Sequence, residues 1–230
     1  MSTAFDIVPK TDAFEISRKG YCDSIRRSWI IGTEELSAMR EKSIVYHDTP
    51  GEVNTEATLL RAKERAKSLG IQNIVVASTS GQTGVKACEA FKRFNLVVVR
   101  HHTGFLSPGS QQMTPENEKL ILASGARIVT ASHAFSGVER AMRMKRDTIG
   151  PLELMADTLR VFGEGTKVCL EIAVMAADAG AIPIGTPVVV IAGTSKGADT
   201  ALVVRPAHSN NFFDLYVSEI IAKPSEPARA

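Results

Sequence analysis

Between residues 73 and 91 the sequence runs NIVVASTSGQTGVKACEAF. An apolar run enters a cluster of alcohols around Gly81, and an amphipathic helical pattern leaves it. Ser78, Thr79, Ser80 and Thr83 therefore sit where a strand passes into a helix. A helix N-terminus leaves several backbone N–H groups unpaired and carries the positive end of the macrodipole. Gly81 lets the backbone curl close to a ligand oxygen, and the hydroxyls can each donate to one. That combination is an anion cradle suited to a phosphate without a metal. An ordinary Ser or Thr cap needs one hydroxyl, and four within six residues exceed that need. Hydrogen bonds to a charged group contribute about 1.5–3 kcal/mol each, so a few such donors anchor a phosphate. The whole span is expected to take part: Ser78, Thr79, Ser80, Gly81, Gln82, Thr83 and Gly84.

In open α/β sheets, ligands collect beyond the carboxyl ends of the strands. After the apolar runs at 43–47, 73–78, 95–102, 126–132 and 186–193 come HDTPGEVNT, STSGQTG, HHTGF, SHAFSGVE and GTSKGADT. Three of the five histidines, His101, His102 and His133, fall on this edge. The predicted walls of a shared cleft are Asn54 and Thr55, then His101, His102, Thr103, Gly104 and Phe105. They continue with His133, Ser136, Gly137, Val138 and Glu139. Gly193, Thr194, Lys196, Gly197, Ala198, Asp199 and Thr200 close the other side, with Lys196 as counter-charge to a phosphate. Ser136 and Glu139 also fit a capping box, in which Glu139 reaches back to the cap's N–H.

His133, His102 and Glu171 are the candidate catalytic groups. Glu171 and Asp178 lie seven residues apart on a nearly apolar helical stretch, and bracing of the neighbouring loops is the simpler expectation for both. No metal is expected. There is no H-x-x-x-H spacing, and on a strand His101 and His102 would point to opposite faces. Neither G-x-x-x-x-G-K-[ST] nor G-x-G-x-x-G occurs, which disfavours a nucleotide triphosphatase and the usual dinucleotide fold.

The elements that position these residues follow from periodicity. Continuous Val/Ile runs mark strands covered on both faces, hence a parallel sheet of βαβ units. A helix begins at Asn54 or Thr55 and closes at Gly70; another is capped by Thr114 with Pro115 in its first turn. Two helices fall in 136–162, and 166–180 reads as a central buried helix. Segments 198–207 and 212–223 close the sheet, antiparallel at one edge, and the tail from Pro224 is expected to be disordered. The fold class is α/β, doubly wound and mostly parallel. Residues 1–42 form an N-terminal helical extension, with a cap at Thr33 and an apolar knot around Trp29, and 43–230 the α/β domain. That knot docks on the domain or on a second copy, making a homo-oligomer.

Charged residues are 23% of the 230 and the net charge is +2, so bulk binding of nucleic acid is not expected. The basic run RAMRMKRD (140–147) reads as a solvated helix face. No stretch approaches the length of a membrane span and the start lacks a secretory pattern, so a cytoplasmic location without membrane contact is expected. The three cysteines, Cys22, Cys88 and Cys169, are odd in number and far apart, consistent with free thiols.

NIVVASTSGQTGVKACEAF, VVVRHHTGF, ASHAFSGVER, KVCLEIAVMAADAG and GTSKGADTALVVRPA together resemble the stand-alone proteins of the pyruvate kinase C-terminal-domain-like family, in order over residues 43–223. The resemblance implies a doubly wound α/β fold with an antiparallel edge strand. It implies a sugar bisphosphate site in the loop Ser78–Thr83, with Gly193–Thr200 closing over it. The catalytic barrel of pyruvate kinase is absent, so kinase activity is not implied. More locally, STSGQT is similar to the loop with which flavodoxin-like proteins hold the phosphate of flavin mononucleotide (FMN).

The functional expectation is a domain that binds a phosphorylated ligand, FMN first, and a flavin would give Phe105, His101 and His133 a role beside a planar ring. Alternatives are a sugar phosphate or free phosphate bound by a non-catalytic sensor, and a hydrolase or lyase using His133 or His102 with Glu171.

Overall fold

Runs of valine and isoleucine dictate the centre of the molecule. The computed structural model describes residues 41–228. The expectations for the leading helices, Thr33, Trp29 and Cys22 lie outside the described residues. Among the described residues seven strands form: β1 (Val45–His47), β2 (Asn73–Ala77), β3 (Asn95–Arg100), β4 (Arg127–Thr130), β5 (Val188–Ala192), β6 (Thr200–Arg205) and β7 (Tyr216–Pro224). The helices are α1 (Thr55–Leu69), α2 (Gln82–Ala90), α3 (Pro115–Ala123), α4 (Gly137–Arg146), α5 (Pro151–Arg160) and α6 (Glu164–Asp178). Short 3₁₀ segments, Glu52–Asn54 and Ser209–Asp214, complete the described elements.

The strands form one sheet in the order β1-β7-β6-β5-β2-β3-β4. Every neighbouring pair is parallel except β5–β6 and β6–β7. Only residues 193–199 join β5 to β6, too few for the crossover that a parallel pair needs, so β6 must run back. The reversed strand is thus not the outermost one. The chain returns through β7, and β1 adds beyond it.

Alternation along the central strands explains why they read as continuous apolar runs. Ile74, Val76 and Val98 pack with Leu59 and Ala62 of α1, Ala87 of α2 and Ile121 of α3. Val75, Val97 and Val190 face the other way, onto Ala156 of α5 and Cys169, Ile172 and Ala176 of α6. Helices therefore cover both faces, and α6 is buried over most of its length as its composition requires. The chain leaves β2 toward β3 on one side, while β5 pairs with β2 on the other. With α2 on one face and α6 on the opposite face, β2 and β5 enclose the topological switch point, where a crevice opens.

Local signals act as read. Gly70 is left-handed at φ 67° and ends α1. The Thr114 hydroxyl accepts the Asn117 N–H at 3.2 Å, ahead of Pro115. The tail is ordered further than expected, because the Ser225 N–H and hydroxyl donate to the His47 carbonyl at 2.9 and 3.1 Å.

The loop after β5 is held by a carboxylate with no solvent exposure. Asp199 accepts from the Gly51 N–H at 2.8 Å, the Thr194 N–H at 3.0 Å and the Thr200 hydroxyl at 2.7 Å. Gly197, left-handed at φ 70°, lies so close to Thr55 and Glu52 that a Cβ there would overlap them. Replacing Asp199 by Ala strands three donors, each costing about 1–3 kcal/mol if it stays dry. Since two of them are half-buried, a loss of about 2–4 kcal/mol is expected in urea unfolding at pH 7.

Candidate functional site

A cleft of about 980 Å³ opens at the carboxyl edge over β2 and β5. From the loop after β2 it is lined by Ser78, Thr79, Ser80, Gln82 and Thr83, and from the loop after β5 by Gly193, Ser195, Lys196 and Gly197. His101, Phe105 and Gln112 close one side, with His133, Ser136, Glu139 and Arg140 beside them, and Lys167 and Glu171 of α6 lie on the floor.

The loop after β2 is built differently from the expectation. The Ser78 hydroxyl has a structural role as acceptor: buried, it takes the Gly84 N–H at 3.0 Å and caps α2 from within. Gly81 is required, at φ 96°, but by the protein itself. Its missing Cβ leaves room for Asn117 of α3, whose amide donates to the Ser80 carbonyl at 2.9 Å. Gly84 is buried against Ile121 and Val98. The Asn117 clamp fixes the loop while leaving its donors free. Among the described residues, the amides of Ser80, Gly81, Gln82 and Thr83 and the Thr83 hydroxyl have no hydrogen-bond partner. This is the unpaired first turn of a helix facing the cleft.

Next to it stands a group of rings. His101 and Phe105 have centroids 4.1 Å apart, His101 and His133 5.0 Å, and His102 and His133 5.4 Å. His101 and His102 lie past the end of β3, so strand alternation no longer separates them and both rings contact Phe105 and His133. His101 Nδ1 lies 2.7 Å from Gln112 Oε1, and its Nε2 lies 3.5 Å from the Thr79 hydroxyl. The proton is then on Nδ1, and the hydroxyl donates to Nε2. Burial pushes the pKa of both His101 and His102 down; His133 in its protonated form acts the same way on both, and Arg140 on His102. Among the described residues no three His, Cys, Asp or Glu side chains are grouped to hold a metal ion.

Under the rings lies the most buried charge cluster of the site. Glu171, 2% exposed, accepts from Lys167 Nζ at 2.7 Å and from the Phe135 N–H at 3.1 Å. Its Oε2 is also 3.6 Å from His133 Nδ1. Burial alone would raise the carboxyl pKa, but His133 and Lys167 outweigh it and take it down to about 2. Glu171 therefore braces the loop after β4, as expected, and also faces a cleft histidine. Asp178 lies apart from the cleft and accepts from the Ser209 N–H and His208.

Several predicted walls are elsewhere. Asn54 donates to Thr49 and Gly51 carbonyls, and Thr55 links the Glu52 carbonyl to the Ala198 N–H; both brace loops, and Glu52 takes their place on the cleft. Thr194, Ala198, Asp199 and Thr200 support the loop after β5 from behind, and His102, Thr103, Gly104, Gly137 and Val138 do not line the cleft. The capping box does not form. Ser136 makes no side-chain cap, and Glu139 instead accepts the Glu153 N–H at 2.9 Å, at the start of α5. A donor there, from another helix, outcompetes the local one. Arg140, Gln112 and Lys167 were missed. For Lys167 a signal existed, since Lys167 and Glu171 stand four apart on an otherwise apolar helix.

Fold and site together define an α/β protein with an open cleft at the switch point of a mixed, doubly wound sheet. Residues 56–204 match the family model "Pyruvate kinase, alpha/beta domain", and the chain belongs to that family. Among solved structures, pyruvate kinase of Cryptosporidium parvum in complex with ADP is similar at TM-score 0.33 and 11% identity, over 83% of this chain and 26% of that one. O-ureido-L-serine synthase is similar at TM-score 0.27 and 20% identity, over 56% of this chain and 48% of that one. A mutant of that synthase bound to O-ureido-L-serine gives TM-score 0.27 and 19% identity with the same coverage. The chain thus spans about a quarter of the kinase and about half of the synthase.

The titrations fix the sign of the acid response. The neutral forms of His101 and His102 are favoured in the fold, so stability falls as the pH drops below their ordinary 6.5. Glu171 contributes fully above its ordinary 4.5 and loses its contribution as the pH falls toward about 2. Urea midpoints measured from pH 7 to pH 2 are expected to decline in both windows, and Glu171→Gln is expected to shrink the lower step, leaving the part that Asp178 contributes. Lys167→Met leaves a buried carboxylate without its cation, and a loss of about 3–5 kcal/mol at pH 7 is expected in the same assay.

Proposed function

We propose that the cleft binds a phosphorylated ligand with a planar ring, FMN being the first candidate. The observation that carries this reading is the juxtaposition of the unpaired amides of residues 80–83 with the ring cluster, on one cleft. Unpaired first-turn amides at the positive end of α2 suit an anion. Lys196, exposed on the opposite loop, and Arg140, whose guanidinium carbon lies 4.7 Å from the Phe105 ring centre, add positive charge. His101 and His133, with ring centres 5.0 Å apart, suit an aromatic body. A cleft of about 980 Å³ is at the upper end of ordinary small-molecule sites.

The residues fit such a cofactor by chemistry as well as by volume. Thr83 and the amides of residues 80–83 would hold the phosphate, and His101 and His133 would border the ring. Bound FMN would supply hydride or electron transfer. The chain's own part is to hold and orient it, with Glu171 and Lys167 fixing His133 from below. Ser78 shapes the loop in this arrangement, and Gly81, besides making room for Asn117, would contribute its N–H alone.

The test is titration with FMN, riboflavin and fructose 1,6-bisphosphate, read by flavin fluorescence and by melting temperature. FMN is expected to bind more tightly than riboflavin. Thr83→Ala is expected to weaken FMN by about 1–2 kcal/mol, roughly 5- to 30-fold, and to leave riboflavin unchanged. Stabilisation by the sugar bisphosphate with none by FMN would replace the flavin by a sugar phosphate at the same loop.

A further inference from the structure

Phe105 fills a place at the rim of the cleft that a ligand ring would suit. It leans on His101 at 4.1 Å and 36° and on His133 at 5.2 Å and 31°, under the Arg140 guanidinium. Nearby, His133 Nε2 and His102 Nδ1 are sealed from solvent without a hydrogen-bond partner. Buried polar atoms in folded proteins nearly always find partners, and a phenyl ring supplies none. Two such atoms on rings packed within 5.5 Å of the Phe105 ring centre mark a place that a more polar ring would improve.

The tautomer of His133 says what kind of ring. Its Nδ1 faces the Glu171 carboxylate at 3.6 Å, so in the neutral imidazole the proton is held on Nδ1 and Nε2 is left as an acceptor. The missing partner is therefore a donor. Phe105 can leave without disturbing the core. It belongs to a loop closed at its neck by the Gly104 N–H on the Ser110 carbonyl at 2.8 Å, and the tip around Leu106, 71% exposed, is in solvent.

Resting on the reading above, we propose that Phe105 stands in for the ligand's ring. When Phe105 turns outward, a planar heteroaromatic ring bearing an edge N–H lies against His101 and donates that N–H to His133 Nε2. An imide-bearing ring such as isoalloxazine has the required donor at N3. Phe105 is in this account a plug, and His133 sets ring specificity.

The plug predicts a sign opposite to that of a wall. Lumiflavin, the ring without phosphate, and N3-methyl-lumiflavin are titrated against the full chain and against Phe105→Ala and His133→Leu, by fluorescence quenching at equilibrium and in stopped flow. Phe105→Ala is expected to bind lumiflavin about 10-fold more tightly, through faster association, because closed protein no longer competes. The unaltered protein is expected to prefer lumiflavin to its N3-methyl form by about 10-fold, and His133→Leu to lose that preference. Weaker binding by Phe105→Ala makes Phe105 a wall and overturns the proposal, as does indifference of the unaltered protein to N3 methylation. If no protein binds lumiflavin while FMN is held through Thr83, this inference falls and the phosphate reading stands. If lumiflavin behaves as expected but FMN is no better than riboflavin, the phosphate reading falls alone.

Discussion

Glu171 is an anion in the most buried helix among the described residues, and the site is organised around making that tolerable. A lone buried carboxylate would take up a proton or destabilise the fold. Here Lys167 supplies the charge one helical turn earlier, the Phe135 N–H supplies a fixed dipole, and His133 approaches from the cleft. Each partner belongs to a different layer of construction. Lys167 is on the same helix, Phe135 ties down the loop after β4, and His133 carries the influence of the core into the ring cluster. The carboxylate thereby transmits the position of α6 to the surface that a ligand would meet.

A similar economy governs the two loops at the switch point. After β2, side-chain groups that sequence alone would give to a ligand are used internally: Ser78 caps α2 and Gly81 accommodates Asn117. After β5, Asp199 is wholly internal. What remains for a ligand is mostly backbone, held by those contacts. Backbone donors fixed in this way cost little further ordering when something binds, which favours affinity through preorganisation.

The sheet, its two covered faces and the edge that carries the cleft were legible, because Val/Ile runs and βα loop chemistry depend on local residues. The cap at Thr114 was legible for the same reason. The Ser136–Glu139 box was not, since its carboxylate had a competing donor at Glu153, fourteen residues away. Nor was the reason for Gly81, which depends on Asn117 of a helix two elements later. Arg140 and Gln112 bear no motif, and only the folding of their loop and helix brings them to the rings. His101 and His102 were read as strand neighbours with opposed side chains; the strand ends at Arg100, before either of them.

The outer strands of the described sheet carry a separate consequence. β1 has three residues and β4 four, the shortest of the seven, while the nine-residue β7 is enclosed between β6 and β1. Short rims offer few free backbone groups to a neighbouring chain, and the long apolar strands that would template fibrous growth are kept inside. Strand length at the two rims therefore limits edge-to-edge pairing of the described sheet.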